Sequence, residues 1–312
     1  MSKVVFSDWA EEWLEYKRRY VKESTYANYL IFMRNQLIPA LGNEYIGDIN
    51  SVKIQEKIDW WAEKGRIDGR GGLSQKTVRD IVTILKMCIR DYAKTNRQEP
   101  PFFTVKYPPA KGRKRMDILS HEQQENLLAV IRQDKGYETL GYALSLYTGI
   151  RIGELCALKW ADIDMEKRQI IIDKTLQRIY LKGRDNKKGK TKIIITSPKS
   201  ENAVRNIPIS EALLELLKSR ACTEREKYLL TGTEKYIEPR LYRKHYRKFL
   251  IENQAEYIRF HGLRHTFATR CVEHGANYKA VSELLGHASV DLTLNLYVHP
   301  QWEEKRKCVE LI

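Results

Sequence analysis

The segment LLGHASVDLTLNLYVHP, residues 284–300, sets His287 ten positions before Tyr297. A phenol is a weak nucleophile until a base takes its proton and cations neutralise the group it attacks. Side chains of those kinds stand earlier in the chain. In LYTGIRIGELCALKW, Arg151 follows a Thr-Gly stop and opens an expected helix. A helix N-terminus and a guanidinium together favour a bound oxyanion, and Glu154, three residues on, is an anchor that could orient the arginine. In FHGLRHTFATR, His261 and Arg264 are three apart and share a helix face, with His265 just beyond. In TSPKSENAVRNIPI, Lys199 lies between two expected strands, in a turn opened by Pro198, where a hairpin-tip lysine can reach into a groove and deliver a proton. Gly286 puts His287 at a helix end or turn rather than on an apolar face. Tyr297 falls at the far end of a helix that Ser289 or Asp291 caps.

Each of these has a blander reading: a surface arginine with a local ion pair, a solvated turn lysine, an aromatic on a helix face. A metal reading also has to be weighed, because His261 and His265 have i, i+4 spacing. It lacks the glutamate of an HExxH motif, no carboxylate occurs from His261 to Arg270, and Arg264 would repel a cation. A phosphate site is the expectation, with no metal.

The elements that must carry these residues can be read from periodicity. Residues 6–97 form four amphipathic helices with short loops. The first carries Phe6, Trp9, Trp13 and Tyr16 at helical spacing behind a Ser/Asp cap; the second opens at Ser24 or Thr25 and stops near Pro39 and Gly42. The third starts at Asn50 or Ser51. The fourth is capped by Ser74 and aligns Val78, Ile81, Leu85, Cys88 and Ile89. A bundle over 1–98 follows. EPPFFTVKYPPAKGRKR, residues 99–115, holds four prolines and closes with Lys111, Arg113, Lys114 and Arg115, a basic linker suited to cross a polyanion. Residues 116–312 form a second domain. Ser120 and Gln123 match a capping box, RQIIID, KIIITS and VRNIPIS read as strands, and helices follow to the end. The fold class is mostly α with a small antiparallel β-sheet.

Composition points to the partner. The 312 residues, 42% apolar, suffice for two domains, and the net charge of +15 calls for an acidic partner, nucleic acid first. The surplus is uneven, 4 over residues 1–110 and 11 over the rest, which a general solubility charge would not need. Five scattered cysteines (Cys88, Cys156, Cys222, Cys271, Cys308) without a CxxC pair argue against a disulfide framework or zinc ribbon. The N-terminus lacks the apolar core of a signal peptide, and no run approaches the ~18 apolar residues of a membrane span. A cytoplasmic location is expected.

The order of these residues says more than any one of them. Arg151, a turn lysine, His-x-x-Arg, Gly-His and a tyrosine ten residues later resemble the tyrosine recombinases, the phage and conjugative-element integrases. The matching pieces are TGIRIGEL, PKSENAVRNIPI, HGLRHTFAT, LLGHASV and LYVH, across roughly residues 116–300. The first four helices look like the core-binding domain of that family, with weaker motifs. The resemblance implies that Tyr297 attacks a DNA phosphate, forming a 3′-phosphotyrosyl link and freeing a 5′-hydroxyl. Arg151 and Arg264 would stabilise the transition state, His287 would donate a hydrogen bond, His261 would accept the tyrosine proton and Lys199 would protonate the leaving oxygen. It further implies no cofactor, double-stranded attachment-site DNA as substrate, integration or excision of a mobile element, and a homotetramer on two sites, with a DNA-bending or directionality protein as a further partner. The apolar tip of the tail, Val309, Leu311 and Ile312, would dock on a neighbouring protomer. Many members carry an additional N-terminal arm-binding domain, whereas this sequence opens at the core-binding bundle, which implies a simpler subclass or a shortened chain. The same chemistry in a type IB topoisomerase is the alternative.

Overall fold

A computed structural model describes residues 4–109, 117–181, 190–197, 204–287, 289–297, 306 and 309–310. The chain divides into two compact units, Met1–Lys114 with Ile179–Lys192, and Arg115–Arg178 with Ile193–Ile312.

The first unit is helical, as its periodicity requires. It contains α1 (Phe6–Tyr20), α2 (Glu23–Phe32), α3 (Ile38–Leu41), α4 (Ser51–Lys64) and α5 (Gln75–Thr95). A π-type turn at Met33–Leu37 joins α2 to α3, so the second expected helix continues past Pro39 to Leu41. Pro39 is tolerated because it stands in the first turn of α3, where its missing N–H costs least. Asn50 accepts from the backbone N–H groups of Val52 and Lys53, and Ser74 from that of Thr77, both as their residue types require. Two details differ from the pattern. The first helix starts at Phe6 without a side-chain cap, and the second starts after Lys22, which leaves Ser24 buried inside it. Tyr16 is 53% exposed and leans on Tyr20 rather than entering the core. Phe6, Trp13, Leu37, Trp61, Ile81 and Leu85 fill that core. The start of the expected linker is fastened to it: Phe103 is buried there, and the backbone N–H groups of Thr104 and Lys106 donate to Ser51 and Gln55.

The second unit wraps helices around a small antiparallel sheet. Strands β1 (Ile163–Asp164), β2 (Gln169–Ile172) and β5 (Arg205–Pro208) lie in the order β1-β2-β5, with Ile170 opposite both Ile163 and Ile207. Strands β3 (Thr175–Leu181) and β4 (Lys190–Thr196) form a separate two-stranded sheet. Neither β1 nor β3 was expected, since ID and TLQRIYL lack the recurring β-branched residues that mark the other three. The strands flanking Lys199, β4 and β5, belong to different sheets, and the expected turn between them lies outside the described residues.

Helices α6 (His121–Gln133) and α7 (Tyr137–Thr148) precede the sheet, and α9 (Glu211–Lys218), α10 (Pro239–Glu252), α11 (Phe260–Glu273), α12 (Tyr278–Leu285) and α13 (Val290–Tyr297) follow it. The capping box at Ser120 and Gln123 is present. Helix α7 is buried along nearly its whole length and packs against α11. Between α7 and the sheet, RIGELCALKW holds only the four-residue α8 (Ile152–Leu155). Tighter i to i+3 bonds from Ala157 to Glu154 and from Leu158 to Leu155 end that helix. No helix among the described residues is long and apolar enough to cross a membrane.

Candidate active site

Three arginines meet at the C-terminal end of α12. The last carbonyls of a helix have no partner within it and carry its negative dipole end. Arg205 Nε donates to Leu284 O at 2.6 Å, Arg264 Nη2 to Leu285 O at 2.8 Å, and Arg151 Nη2 to Gly286 O at 2.7 Å. Consecutive carbonyls thus seat guanidiniums from β5, α11 and the start of α8. Arg264 is held a second time, by Gly149 O at 2.7 Å. Gly149 and Gly286 both have left-handed φ, 63° and 61°, and those turns aim the two carbonyls. At Gly286 a Cβ would also come within 3.0 Å of Arg205 and 3.2 Å of Arg151, closer than ordinary packing allows.

Among the described residues one carboxylate serves this cluster. Glu154 is 3% exposed; its Oε1 accepts from Arg151 at 2.9 Å, and Arg205 bonds both of its oxygens, at 3.2 and 2.8 Å. Burial alone would raise its pKa, but the hydrogen bonds and charge of Arg205, then the charge of Arg151, outweigh it and hold the carboxyl below its usual range. Glu154 is therefore ionised, and among the described residues three guanidiniums against one carboxylate leave the cluster a net cation. Arg151 also keeps an open side, with 37% of its side chain exposed. Because α8 is only one turn long, the pull on an anion here comes from the guanidiniums alone and not, as expected, from a helix N-terminus as well.

The imidazoles lie beside these cations. His261 reaches solvent, yet loss of water around its ring, then the nearby His265, Arg264 and Arg151, hold its pKa down to about 4. Burial and the charges of Arg264, Arg151 and Arg205 lower His287 to about 4 as well. Both rings are neutral at pH 7. His287 Nδ1 pairs with the Thr293 hydroxyl at 2.9 Å, and its backbone N–H donates to Ser282 O, which fixes the ring after the Gly286 turn. Burial, then Arg151, pushes the pKa of Arg264 down to about 9, so it still carries its charge.

Tyr297 ends α13 with its ring packed on Ala268, Val281 and Leu285, 6% exposed. Its ring lies parallel to that of His287, centroids 6.5 Å apart. Its hydroxyl is 2.7 Å from Nδ1 of His265, the histidine that sequence reasoning left without a task. Burial raises the phenol pKa, while Arg264 and Arg151 pull it back.

Five of the six expected residues, Arg151, His261, Arg264, His287 and Tyr297, are thus assembled from α8, α11, α12 and α13. Lys199 lies outside the described residues, as do Lys111, Arg113, Lys114, Arg115, Leu311 and Ile312. Arg205, Thr293 and the pairing of His265 were missed. Arg205 stands inside the quoted PKSENAVRNIPI, but its alternation there marks a strand and nothing about its partner. Among the described residues no group of three or more His, Cys, Asp or Glu is placed to hold a metal ion.

Residues 117–304 match the phage integrase family, and residues 5–62 match the N-terminal SAM-like domain of phage integrases. A XerC-like tyrosine recombinase of Caldanaerobacter subterraneus subsp. tengcongensis is 29% identical over 335 residues, covering 99% of this chain and 83% of that protein. The ICEBs1 integrase of Bacillus subtilis is 28% identical over 242 residues, covering 73% of this chain and 62% of its own length. Among solved structures, the Tn1549 transposon integrase in complex with a circular intermediate DNA shares the fold, with a TM-score of 0.75 at 24% identity over 98% of this chain and 99% of that one.

Proposed function

The chain belongs to the phage integrase family and is a tyrosine recombinase, and from that premise we propose how its residues cut and rejoin DNA. The phosphodiester of an attachment site sits against Arg151 and Arg264. Their charges offset the negative charge that spreads over the non-bridging oxygens in the transition state. Arg264 is seated on two carbonyl oxygens, and Arg151 on Gly286 O as well as on Glu154, so the pair keeps a surplus of positive charge for that purpose, and this is the observation that carries the reading. His287, steadied by Thr293, and His261, open to solvent, donate hydrogen bonds to the same phosphate.

Tyr297 Oη attacks phosphorus and the bond to the 5′-oxygen breaks, with Lys199 as the proton donor to that oxygen. The 3′-phosphotyrosyl link conserves the phosphodiester, so a 5′-hydroxyl from a second strand can reverse the step and exchange strands. No metal or cofactor is called for, because the arginines supply the positive charge. Since Tyr297 is 6% exposed, α13 must shift on DNA just enough to open the hydroxyl to the phosphate while staying packed against α11. Residues 1–98 act as the core-binding domain, 99–115 as a basic strap carrying Lys111, Arg113, Lys114 and Arg115, and 116–312 as the catalytic domain. Two sites are joined by four protomers, with an accessory DNA-bending protein where the site requires one.

The test is a nicked suicide duplex carrying a candidate attachment site. A covalent adduct that forms in EDTA and disappears in Tyr297→Phe supports the reading. A nuclease that stops in EDTA, or an adduct that survives Tyr297→Phe, sinks it. Pairing two cognate sites then separates strand exchange from simple relaxation by a topoisomerase.

A further inference from the structure

We propose that His265, and not His261, takes the proton of Tyr297 during the attack on the scissile phosphate. This rests on the recombinase reading above and assigns its missing base. Two imidazoles, His265 and His287, stand against the phenol and a third, His261, against His265, and their geometries differ. His265 Nδ1 lies 2.7 Å from Tyr297 Oη, so with its proton on Nε2 the ring accepts the phenolic hydrogen bond. His287 lies parallel to the phenol at 6.5 Å and commits its Nδ1 to Thr293. His261, one helical turn before His265, meets that ring edge-on at 4.5 Å, and no hydrogen bond joins it to Tyr297 among the described residues. The spacing that recommended a shared face for His261 and Arg264 turns those two toward the phosphate, and leaves the next histidine against α13.

The surroundings of His265 suit the task. The charged and titratable groups facing it are Arg264 and His261 on its own helix, Arg259 at the start of that helix, Asp117 before α6, and Tyr297 on α13. Burial first, then Arg264, outweigh the opposing pull of Asp117, with a smaller push from Arg259, and disfavour the imidazolium, so in the free protein the ring is neutral and ready to accept. A phosphodiester entering against Arg151 and Arg264 brings negative charge that offsets this repulsion, which makes proton uptake easier when the substrate is in place. In the step itself the Tyr297 proton passes to His265 Nδ1 as the Oη–P bond forms. The P–O5′ pair leaves with the 5′-oxygen, which is protonated by Lys199. The return reaction takes the proton back from His265.

Single-turnover adduct formation on the suicide duplex tests this with His265→Asn, His265→Ala and His261→Asn. Asparagine keeps a polar atom near the position of Nδ1 but cannot take a proton at neutral pH. We expect His265→Asn to slow cleavage by about 10²–10⁴-fold with DNA affinity and melting temperature retained. The acid-side fall of the wild-type rate should vanish in His265→Asn and persist in His261→Asn. Added imidazole should restore part of the rate to His265→Ala and none to Tyr297→Phe, a rescue that a merely structural histidine would not show. The proposal is overturned if His265→Asn cleaves near the wild-type rate, or if the acid limb vanishes in His261→Asn instead. If the wild type itself yields no Tyr297-dependent adduct, the recombinase reading falls and this assignment with it.

Discussion

Arg151 and Arg205 grip the same carboxylate, that of Glu154, while donating to carbonyls two residues apart at the end of α12. The arginine expected to touch phosphate is therefore positioned by a second one, 54 residues away and on a strand. Glu154 fixes its guanidinium from one side and Gly286 O from the other.

Arg205→Met tests that support. Removing one partner of a buried ion pair costs about 3–5 kcal/mol, and because Glu154 retains Arg151 the loss should fall near 3 kcal/mol in denaturant unfolding. Cleavage should fall further than stability explains. A neutral methylphosphonate at the scissile position, which needs less cationic stabilisation, should narrow that gap; an equal defect on both substrates would mean that Arg205 supports only the fold.

Gly286→Ala should separate geometry from stability. The left-handed φ of 61° costs a side chain about 1–2 kcal/mol. The new methyl must also displace the Nη1 atoms of Arg205 and Arg151, which lie 3.0 and 3.2 Å from it. Misplacing catalytic groups by about 1 Å can cost 10²-fold, so adduct formation should drop by roughly that factor while DNA affinity holds. A variant that loses stability alone would show that the α12 terminus does not set the arginines.

Stability should fall on acidification between pH 6.5 and 4. His261 and His287 titrate near 4 in the folded protein and near 6.5 unfolded, so across that window the unfolded chain binds more protons and stability rises with pH. Carboxylates held low, such as Glu154, add their loss only further down. Melting curves of a His261→Gln/His287→Asn variant should be flatter over this range than those of the wild type; an unchanged slope would refute the assignment.

Binding to DNA should weaken steeply with salt. If Lys111, Arg113, Lys114 and Arg115 each contact a phosphate, replacing all four with alanine lowers the slope of log K against log salt by up to about 3.6, at 0.9 per contact. A wild-type slope in that variant would remove the strap from the interface.

Much of this protein was legible before any coordinates. Helical periodicity outlined the four-helix N-terminal bundle and its Asn50 and Ser74 caps, because burying an apolar stripe is a local demand repeated every turn. The order of Arg151, His261, Arg264, His287 and Tyr297, with the motifs around them, carried the resemblance to the tyrosine recombinases, and the family match bears that resemblance out. The parts that depend on partners distant in sequence could not be read that way. β3 was missed, Tyr16 was taken for core, and α8 proved one turn long, because strand pairing, burial and helix termination there are settled by neighbours outside the local pattern. Arg205 looked like one residue of an alternating strand, and only the fold brings it to Glu154 and Leu284, 51 and 79 positions away. Spacing favoured His261, three residues before Arg264, over His265. What separates them is the crossing of α13 over α11, which sets one imidazole on the phenol and leaves the other facing solvent.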